Sequence, residues 1–371
     1  MINNVKSSQI YLFFLSIPAF FSSKASKSAR IIRPSGTFHL LFSGCLLLLF
    51  SCKQASKPDV TGIKLDIKVA RFDQDLYNGK TKDLTQTDQQ LQQKYGAFYN
   101  DFVHRMVGDA SYSNTEILST LYKDQAYTDL NTEADSVFKD MGGIEKDLTQ
   151  TFKYVKHYYP KARIPKMISF VSGFAVQTPI GDDYIGIGLD MFLGKNSKFY
   201  GAIVQSVPTY LSRRFSPEYV VPRITETYAR EDLFPERDED RTLLSKMIQN
   251  GKILYFMDQV LADEVPDSIK IGYTKSQIDW CKTYEKDIWA YFLQNNLLFE
   301  TDYQKIQVFL GEGPFTPGLG EKNESAPKLG VWVGWQMVKR YMQENKGISL
   351  QQLMAEKDPQ KILNMSKYKP K

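Results

Sequence analysis

The sequence predicts an α+β fold: a single, mainly helical domain with a small central β-sheet. Apolar residues recur at three- and four-residue steps along most of the chain, as in Leu91, Tyr95 and Phe98, which is the spacing of an amphipathic helix. Two short stretches near the middle, "PKMISFVSGF" and "YIGIGLDMFLG", instead alternate β-branched and aromatic residues, which is typical of strands. A few strands among many helices indicate helices packed on a small sheet.

The first part of the globular chain is expected to begin with a strand and continue as helices. The stretch "IKLDIKVARFDQDLY" (63–77) opens with alternating apolar and polar residues, so we expect a strand that leads into Arg71, Phe72 and Asp73. From about Thr85 the spacing becomes helical and remains so until Pro160, where a helix must stop. Residues of about 80–160 are therefore predicted to form a helical lobe.

The second part, about 161–371, is expected to combine the sheet with further helices. The two strand-like stretches are predicted to pair, with the turn-rich "QTPIGDD" between them. Helical spacing returns after Tyr200 in "SPEYVVPRITETYARE", "DRTLLSKMIQNGKILYFMDQVL", "SQIDWCKTYEKDIWAYFLQNN" and "LGVWVGWQMVKRYMQEN". A glycine- and proline-rich loop from Gly311 to Gly330 precedes the last of these, and it is long enough to be functional.

The first 51 residues have the layout of an exported leader. A basic region without acidic residues comes first, and an apolar run from Leu40 to Phe50 follows it. This run is about half of the ~20 residues needed to cross a hydrocarbon core, so a stable spanning helix is not expected. The end of the leader, Leu49-Phe50-Ser51-Cys52, resembles the lipobox of bacterial lipoproteins, in which the cysteine is acylated and becomes the new N-terminus.

Cys52 is the predicted lipidation site, with Cys45 as a competing acceptor. Cleavage before Cys45 would leave the apolar run Leu46 to Phe50 on the mature chain, which favours Cys52. A soluble secreted protein and an uncleaved anchor are the alternatives left open. The predicted organisation is a signal peptide at 1–51, the lipidated cysteine and a flexible tether at 52–62, and a globular domain at 63–371. The tether has no acidic cluster after the cysteine, which favours a lipid-anchored protein facing the periplasm, at the inner or the outer membrane.

Charge argues against a nucleic-acid partner. The chain has 47 basic and 42 acidic residues, and five of the basic residues lie in the leader, which has no acidic ones. The part from Cys52 onward is therefore balanced, at 42 of each sign, and it shows no basic stripe. The expected partners are instead the lipid bilayer, through acylated Cys52, and other proteins of the cell envelope.

No cofactor and no metal site are predicted. His104 and His157 each lack a second histidine four residues away, so the helical two-histidine zinc motif is absent. The loop Gly311 to Gly330 lacks the Gly-Lys-Ser/Thr end of a phosphate-binding loop. Cys281 remains alone once the leader is removed and Cys52 is acylated, so no intramolecular disulfide forms and Cys281 is expected to be a small buried hydrophobe.

Three segments together resemble the gliding-motility lipoprotein family GldB of Bacteroidetes. They are "VARFDQDLY", "IGIGLDMFLG" and "APKLGVWVGWQMVKRYM", and the resemblance covers nearly all of the mature chain. It implies a membrane-anchored envelope protein that supports surface gliding, beside other motility lipoproteins and the type IX secretion apparatus. Relatives also occur in bacteria that do not glide.

The same segments resemble, more faintly, a family of predicted zinc proteases with an H-E-x-x-H helix and a Glu-Gly third-ligand position. That resemblance places the first metal helix near "VVPRITETY" (220–228), which has no histidine, and the third ligand at Asn250-Gly251. Catalytic zinc needs three protein ligands plus water, so an active protease of this type is not expected. The fold is then a degenerate zincin-like scaffold, whose old cleft would lie around Arg223, Glu226 and Asn250.

Two functions therefore remain open. The first is a non-catalytic scaffold or assembly factor of the envelope, in which tyrosine, tryptophan and arginine side chains contact partners. Most of the aromatics, among them Trp280, Trp289, Trp332 and Trp335, are instead expected to fill a helical core. The second is a degenerate zinc-protease-like protein that binds, or slowly hydrolyses, a peptide or cell-wall fragment. They differ in whether Arg223, Glu226 and Asn250 converge on a concave pocket or are scattered.

Overall fold

A computed structural model describes residues 57–236, 239–320 and 324–371. Its sheet has three parallel strands in the order β1 (Val69–Arg71), β2 (Lys166–Phe170) and β3 (Tyr184–Gly188). Ala70 lies opposite Ile168, which lies opposite Gly186. The predicted pairing of the two central stretches is confirmed, whereas the first strand is shorter than the alternation from Ile63 onward suggests.

The connection from β2 to β3 explains the glycines of "GIGLD". The chain returns beside β3 in the opposite direction, so that the amides of Gly186 and Gly188 donate to the carbonyl oxygens of Pro179 and Gln177, both at 2.8 Å. A Cβ on Gly188 would lie 2.5 Å from the carbonyl oxygen of Val176, closer than real side chains come. Glycine is therefore required where this returning segment crosses the strand.

A buried ion pair forms where β1 ends. Arg71 donates to the Asp73 carboxylate at 2.7 Å and to the carbonyl oxygen of Phe138 at 2.8 Å, and Ser169 of β2 donates to Asp73 at 2.5 Å. Asp73 is 3% exposed and Phe72 is fully buried. The Arg-Phe-Asp segment thus joins the first strand to the helical layer, as the sequence predicts.

A second buried carboxylate, Asp190, follows β3. One of its oxygens accepts the amides of Ser172 at 3.1 Å and Phe174 at 2.6 Å, while the other has no partner. Phe174 has a positive φ of 68°, so Asp190 holds a strained turn just after β2. Burial raises the pKa of the Asp190 carboxyl to about 6, and the amides that it accepts oppose that rise.

Helices make up most of the remaining chain, as predicted. Those that precede β2 are α1 (Phe72–Asn78), α2 (Leu84–Tyr95), α3 (Ala97–Asp101), α4 (Asn114–Lys123), α5 (Gln125–Val137) and α6 (Gly142–Tyr158). Gly96, with φ of 52°, separates α2 from α3, where the apolar spacing alone suggests one helix. A π-helical turn, Phe102–Met106, follows α3.

The helices after β3 are shorter on average than those before β2, although two of them have 18 and 16 residues. They are α7 (Lys198–Ala202), α8 (Thr209–Ser212), α9 (Val220–Tyr228), α10 (Leu243–Val260), α11 (Asp267–Ile271), α12 (Lys275–Thr283), α13 (Glu285–Gln294), α14 (Tyr303–Leu310), α15 (Leu329–Glu344), α16 (Leu350–Ala355) and α17 (Pro359–Ser366). The four helical segments predicted after Tyr200 are present, and the third is divided between α12 and α13.

The core of this part lies between α10 and α15, which pack closely against each other. Trp332 and Trp335 of α15 are at most 2% exposed, so these aromatics fill the core rather than a surface. Cys281 of α12 is fully buried, as predicted, and burial raises the pKa of its thiol. Within the described residues, no helix is both long and apolar enough to cross a membrane.

Candidate functional site

The predicted cleft residues lie on two neighbouring helices. Arg223 and Glu226 belong to α9, and Arg230 lies one turn further along, in a π-helical turn from Ala229 to Leu233. Residues three and seven positions apart share a helix face, so these three side chains point the same way. Asn250 of α10 faces them, because α10 packs on α9.

The structure brings all three predicted residues into one hydrogen-bonded network. Arg223 donates to Oε2 of Glu226 at 2.5 Å, and Arg230 donates to the other carboxylate oxygen, Oε1, at 2.9 Å. Arg230 also donates to Oδ1 of Asn250 at 3.0 Å. Gln177, in the segment beside β3, accepts from Arg223 at 3.3 Å, which ties the network to the sheet.

The charge environment keeps Glu226 ionised. Its side chain is 17% exposed, and burial alone would raise the pKa of its carboxyl. The positive charges of Arg223, Arg230 and Lys328 reverse this and hold the pKa at about 2. Glu226 is therefore an anion at neutral pH, held by two guanidinium groups.

A second carboxylate extends the network from the loop Gly311 to Gly330. Glu312 accepts from Lys328 at 2.6 Å and from Arg214 at 3.0 Å. Burial would raise the pKa of its carboxyl, but Lys328 and Arg214 lower it to about 2. Lys328 is the residue before α15 and has a left-handed backbone with φ of 43°, which is costly for a side chain with a Cβ.

These groups line a cavity of about 100 Å³. Its polar lining is formed by Glu226, Arg230, Asn250, Lys270, Glu312 and Lys328, and its apolar lining by Leu254, Ile271, Leu310 and Val331. Glu226 and Asn250 thus converge on one pocket, which is the arrangement that the degenerate-protease alternative predicts. Arg223 contributes to this pocket only through its ion pair with Glu226. Whether the pocket binds a ligand stays a prediction.

The donor set at this place does not suit a catalytic zinc ion. Zinc sites use imidazole, thiolate and carboxylate groups, whereas here arginine, lysine and a neutral amide surround Glu226. Both oxygens of Glu226 are already engaged by guanidinium groups, whose positive charge would repel a cation. Within the described ranges, no group of three or more His, Cys, Asp and Glu side chains is placed to hold a metal.

Sequence reasoning missed the other charged residues that complete the site. Arg230 could have been found, since it lies four residues after Glu226 and so shares its helix face. Lys328, Glu312 and Arg214 could not, because they come from distant segments that only the fold brings together. His104 and His157 lie elsewhere, the first in the π-helical turn after α3 and the second in the last turn of α6. Cys52, Cys45, the leader and the start of the tether lie outside the described residues.

The fold and site define a mainly helical α+β protein with a half-buried ion network where α9 and α10 meet. The family described as gliding motility protein GldB matches residues 53–370, which is most of the chain. The chain therefore belongs to the GldB family of gliding motility proteins. No curated protein and no solved structure matches it at a significant level.

Proposed function

We propose that this protein is a lipid-anchored component of the bacterial cell envelope that supports gliding motility and the associated type IX secretion apparatus. In this proposal acylated Cys52 holds it at the inner or the outer membrane, facing the periplasm. It acts as a non-catalytic scaffold or assembly factor for other envelope proteins. Membership in the GldB family supports the link to motility.

One observation carries the non-catalytic part of the proposal. Glu226 is the residue that would act as general base if the site had kept a catalytic function. Its two carboxylate oxygens are bound by Arg223 and Arg230. With a pKa of about 2 it is a very weak base at neutral pH, whereas efficient general bases have a pKa near the working pH. An ion network of this kind fastens α9 to α10 and suits a structural role.

Anchoring is tested by metabolic labelling of the full chain with a palmitate analogue, followed by membrane fractionation. We expect Cys52→Ala to lose both the label and membrane retention, and Cys45→Ala, the matched control, to keep both. Cys52 would be ruled out as the anchor if the Cys52→Ala variant still carried the label, or if only the Cys45→Ala variant lost it. In a host that glides, Cys52→Ala should also reduce spreading of the colony.

The absence of catalysis is tested on the purified wild-type chain. We expect sub-stoichiometric zinc by elemental analysis, and no peptide cleavage that zinc stimulates and a chelator removes. Stoichiometric zinc with chelator-sensitive cleavage would contradict the scaffold proposal and support the hydrolase alternative.

Contact with other envelope proteins is tested by crosslinking in intact cells. We expect envelope proteins to be recovered with the wild-type chain and fewer of them with Cys52→Ala.

A further inference from the structure

We propose that the cavity between α9, α10 and α15 binds an oxyanion group, a carboxylate or a phosphate, carried by a molecule of the envelope. This goes beyond the proposed function, since a scaffold does not require a small-ligand site. It is also independent of the acylation of Cys52 that anchors the protein.

The first support is an excess of positive charge around the cavity. Arg230 and Lys328 line the cavity, and Arg223 and Arg214, which lie outside its lining, pair with the same two carboxylates, those of Glu226 and Glu312. Each carboxylate bridges two cations, so the network carries two uncompensated positive charges. The four side chains are 12–36% exposed, and an anion in the cavity would offset the cost of holding their excess charge partly out of water.

Lys270, which also lines the cavity, does not change this balance. It pairs with Asp258 at 2.7 Å and Asp267 at 3.4 Å, and Lys339 contacts the same two carboxylates at 3.9 and 3.0 Å. These two lysines and two aspartates form a neutral group of their own. The excess positive charge therefore belongs to Arg214, Arg223, Arg230 and Lys328.

The second support is the geometry at Lys328. A non-glycine residue with φ of 43° persists only where its surroundings hold it there, and such strain is common at binding sites. Here it places an ammonium group, 12% exposed, at the cavity wall beside Glu312. The N-terminus of the 16-residue helix α15 begins at the next residue, and its dipole adds to the positive potential.

The third support is the size and lining of the cavity. A volume of about 100 Å³ holds a few water molecules or one carboxylate or phosphate group, but not a large side chain. Arg230 and the amide of Asn250 meet there, and a guanidinium matches the geometry of carboxylates and phosphates in particular. The rest of the ligand would extend outward through the mouth of the cavity.

The test uses the full chain purified in detergent, with inorganic phosphate and succinate as probes. Thermal unfolding is followed at constant ionic strength, with sodium chloride in place of either probe. We expect at least one probe to raise the melting temperature in a saturable way. Saturation by phosphate alone identifies a phosphate group as the ligand chemistry, and saturation by succinate alone identifies a carboxylate. An equal change of the melting temperature in chloride, phosphate and succinate would overturn the proposal.

Two variants assign the binding to the cavity. We expect Arg230→Gln to weaken probe binding by about tenfold or more, as loss of a charge-assisted contact to an anion does. Lys328→Gly should do the same, and because glycine suits the left-handed backbone, relief of that strain should offset part of the loss of the ion pair with Glu312. Lys275→Gln removes an exposed lysine that pairs with Asp279 and does not line the cavity, and it is the matched control. Unchanged affinity in Lys328→Gly, or an equal loss in Lys275→Gln, would show that the cavity is not the binding site.

Discussion

Gly251 of α10 and Gly334 of α15 meet backbone to backbone where the two helices cross. A Cβ on Gly251 would lie 2.3 Å from the carbonyl oxygen of Gly334, and a Cβ on Gly334 would lie 1.9 Å from the carbonyl oxygen of Met247. The helices approach this closely only because neither residue has a side chain. This contact sets the position of Asn250, the neighbour of Gly251, and hence one wall of the cavity.

Replacing either glycine by alanine should therefore destabilise the protein. We expect Gly334→Ala to cost about 3 kcal/mol or more in the free energy of unfolding, since the obstacle is rigid helix backbone rather than a flexible side chain. Gly143→Ala in α6 is the control: its Cβ would meet nothing within 4 Å, so it should be neutral or stabilising by up to about 1 kcal/mol. Chemical denaturation measures both. A Gly334→Ala variant as stable as the control would show that the helices separate easily.

The buried pair of Arg71 and Asp73 should contribute strongly to stability. Asp73→Ala leaves Arg71 and the hydroxyl of Ser169 without their shared acceptor, so we expect a loss of about 3–5 kcal/mol in the free energy of unfolding. In contrast, Lys275→Ala breaks a pair whose side chains are 88% and 54% exposed, and should cost about 0–0.5 kcal/mol. Similar losses in the two variants would mean that burial does not govern these ion pairs.

Asp190 should make the protein less stable as the pH rises through the acidic range. Its pKa is raised from 3.8 to about 6 by burial, so the folded state holds a proton that the unfolded state releases. Stability from this group is complete below about pH 3.8 and is lost as the pH rises to about 6. Asp190→Asn keeps one oxygen as acceptor for Ser172 and Phe174, and should therefore gain stability relative to the wild type between pH 4 and 6. A difference between the two chains that does not vary with pH would contradict this prediction.

Glu226 should have the opposite pH dependence. Its pKa is lowered from 4.5 to about 2, so the ion pairs stabilise the fold above about pH 4.5 and that stability is lost as the pH falls toward 2. The shift corresponds to about 3 kcal/mol. Glu226→Gln should be less stable than the wild type at neutral pH, with a gap that narrows on acidification. A gap that stays constant down to pH 2 would show that Glu226 is not held by its cations.

The sequence predicted the secondary structure well where periodicity was long and uninterrupted. The spacing in "LGVWVGWQMVKRYMQEN" identifies α15 because three- and four-residue steps recur over several turns. The alternation of residue types predicted that β2 pairs with β3, but the sequence alone does not show whether the two strands are parallel or antiparallel. The strands proved parallel, because the chain crosses back past Gly188 before it enters β3.

The residues of the candidate site were likewise predicted only in part from the sequence. Arg223, Glu226 and Asn250 were found by comparing two local stretches with a metal-site pattern, and they do lie together. Glu312 and Lys328 lie in the glycine-rich loop that the sequence marks as long enough to be functional, yet nothing in that loop indicates their partners. Ion pairs between segments nearly 100 residues apart, such as Arg214 with Glu312, leave no local signature.

By itself, the sequence determined the class of fold, the family and the residue types of the site. It did so because helix periodicity, strand alternation and family motifs are properties of short stretches. Only the tertiary structure decided the charge balance of the site, since this depends on which side chains meet across α9, α10 and the loop before α15. The same holds for Gly251 and Gly334: each looks unremarkable in its own helix, and the close approach that requires both exists only where the helices cross.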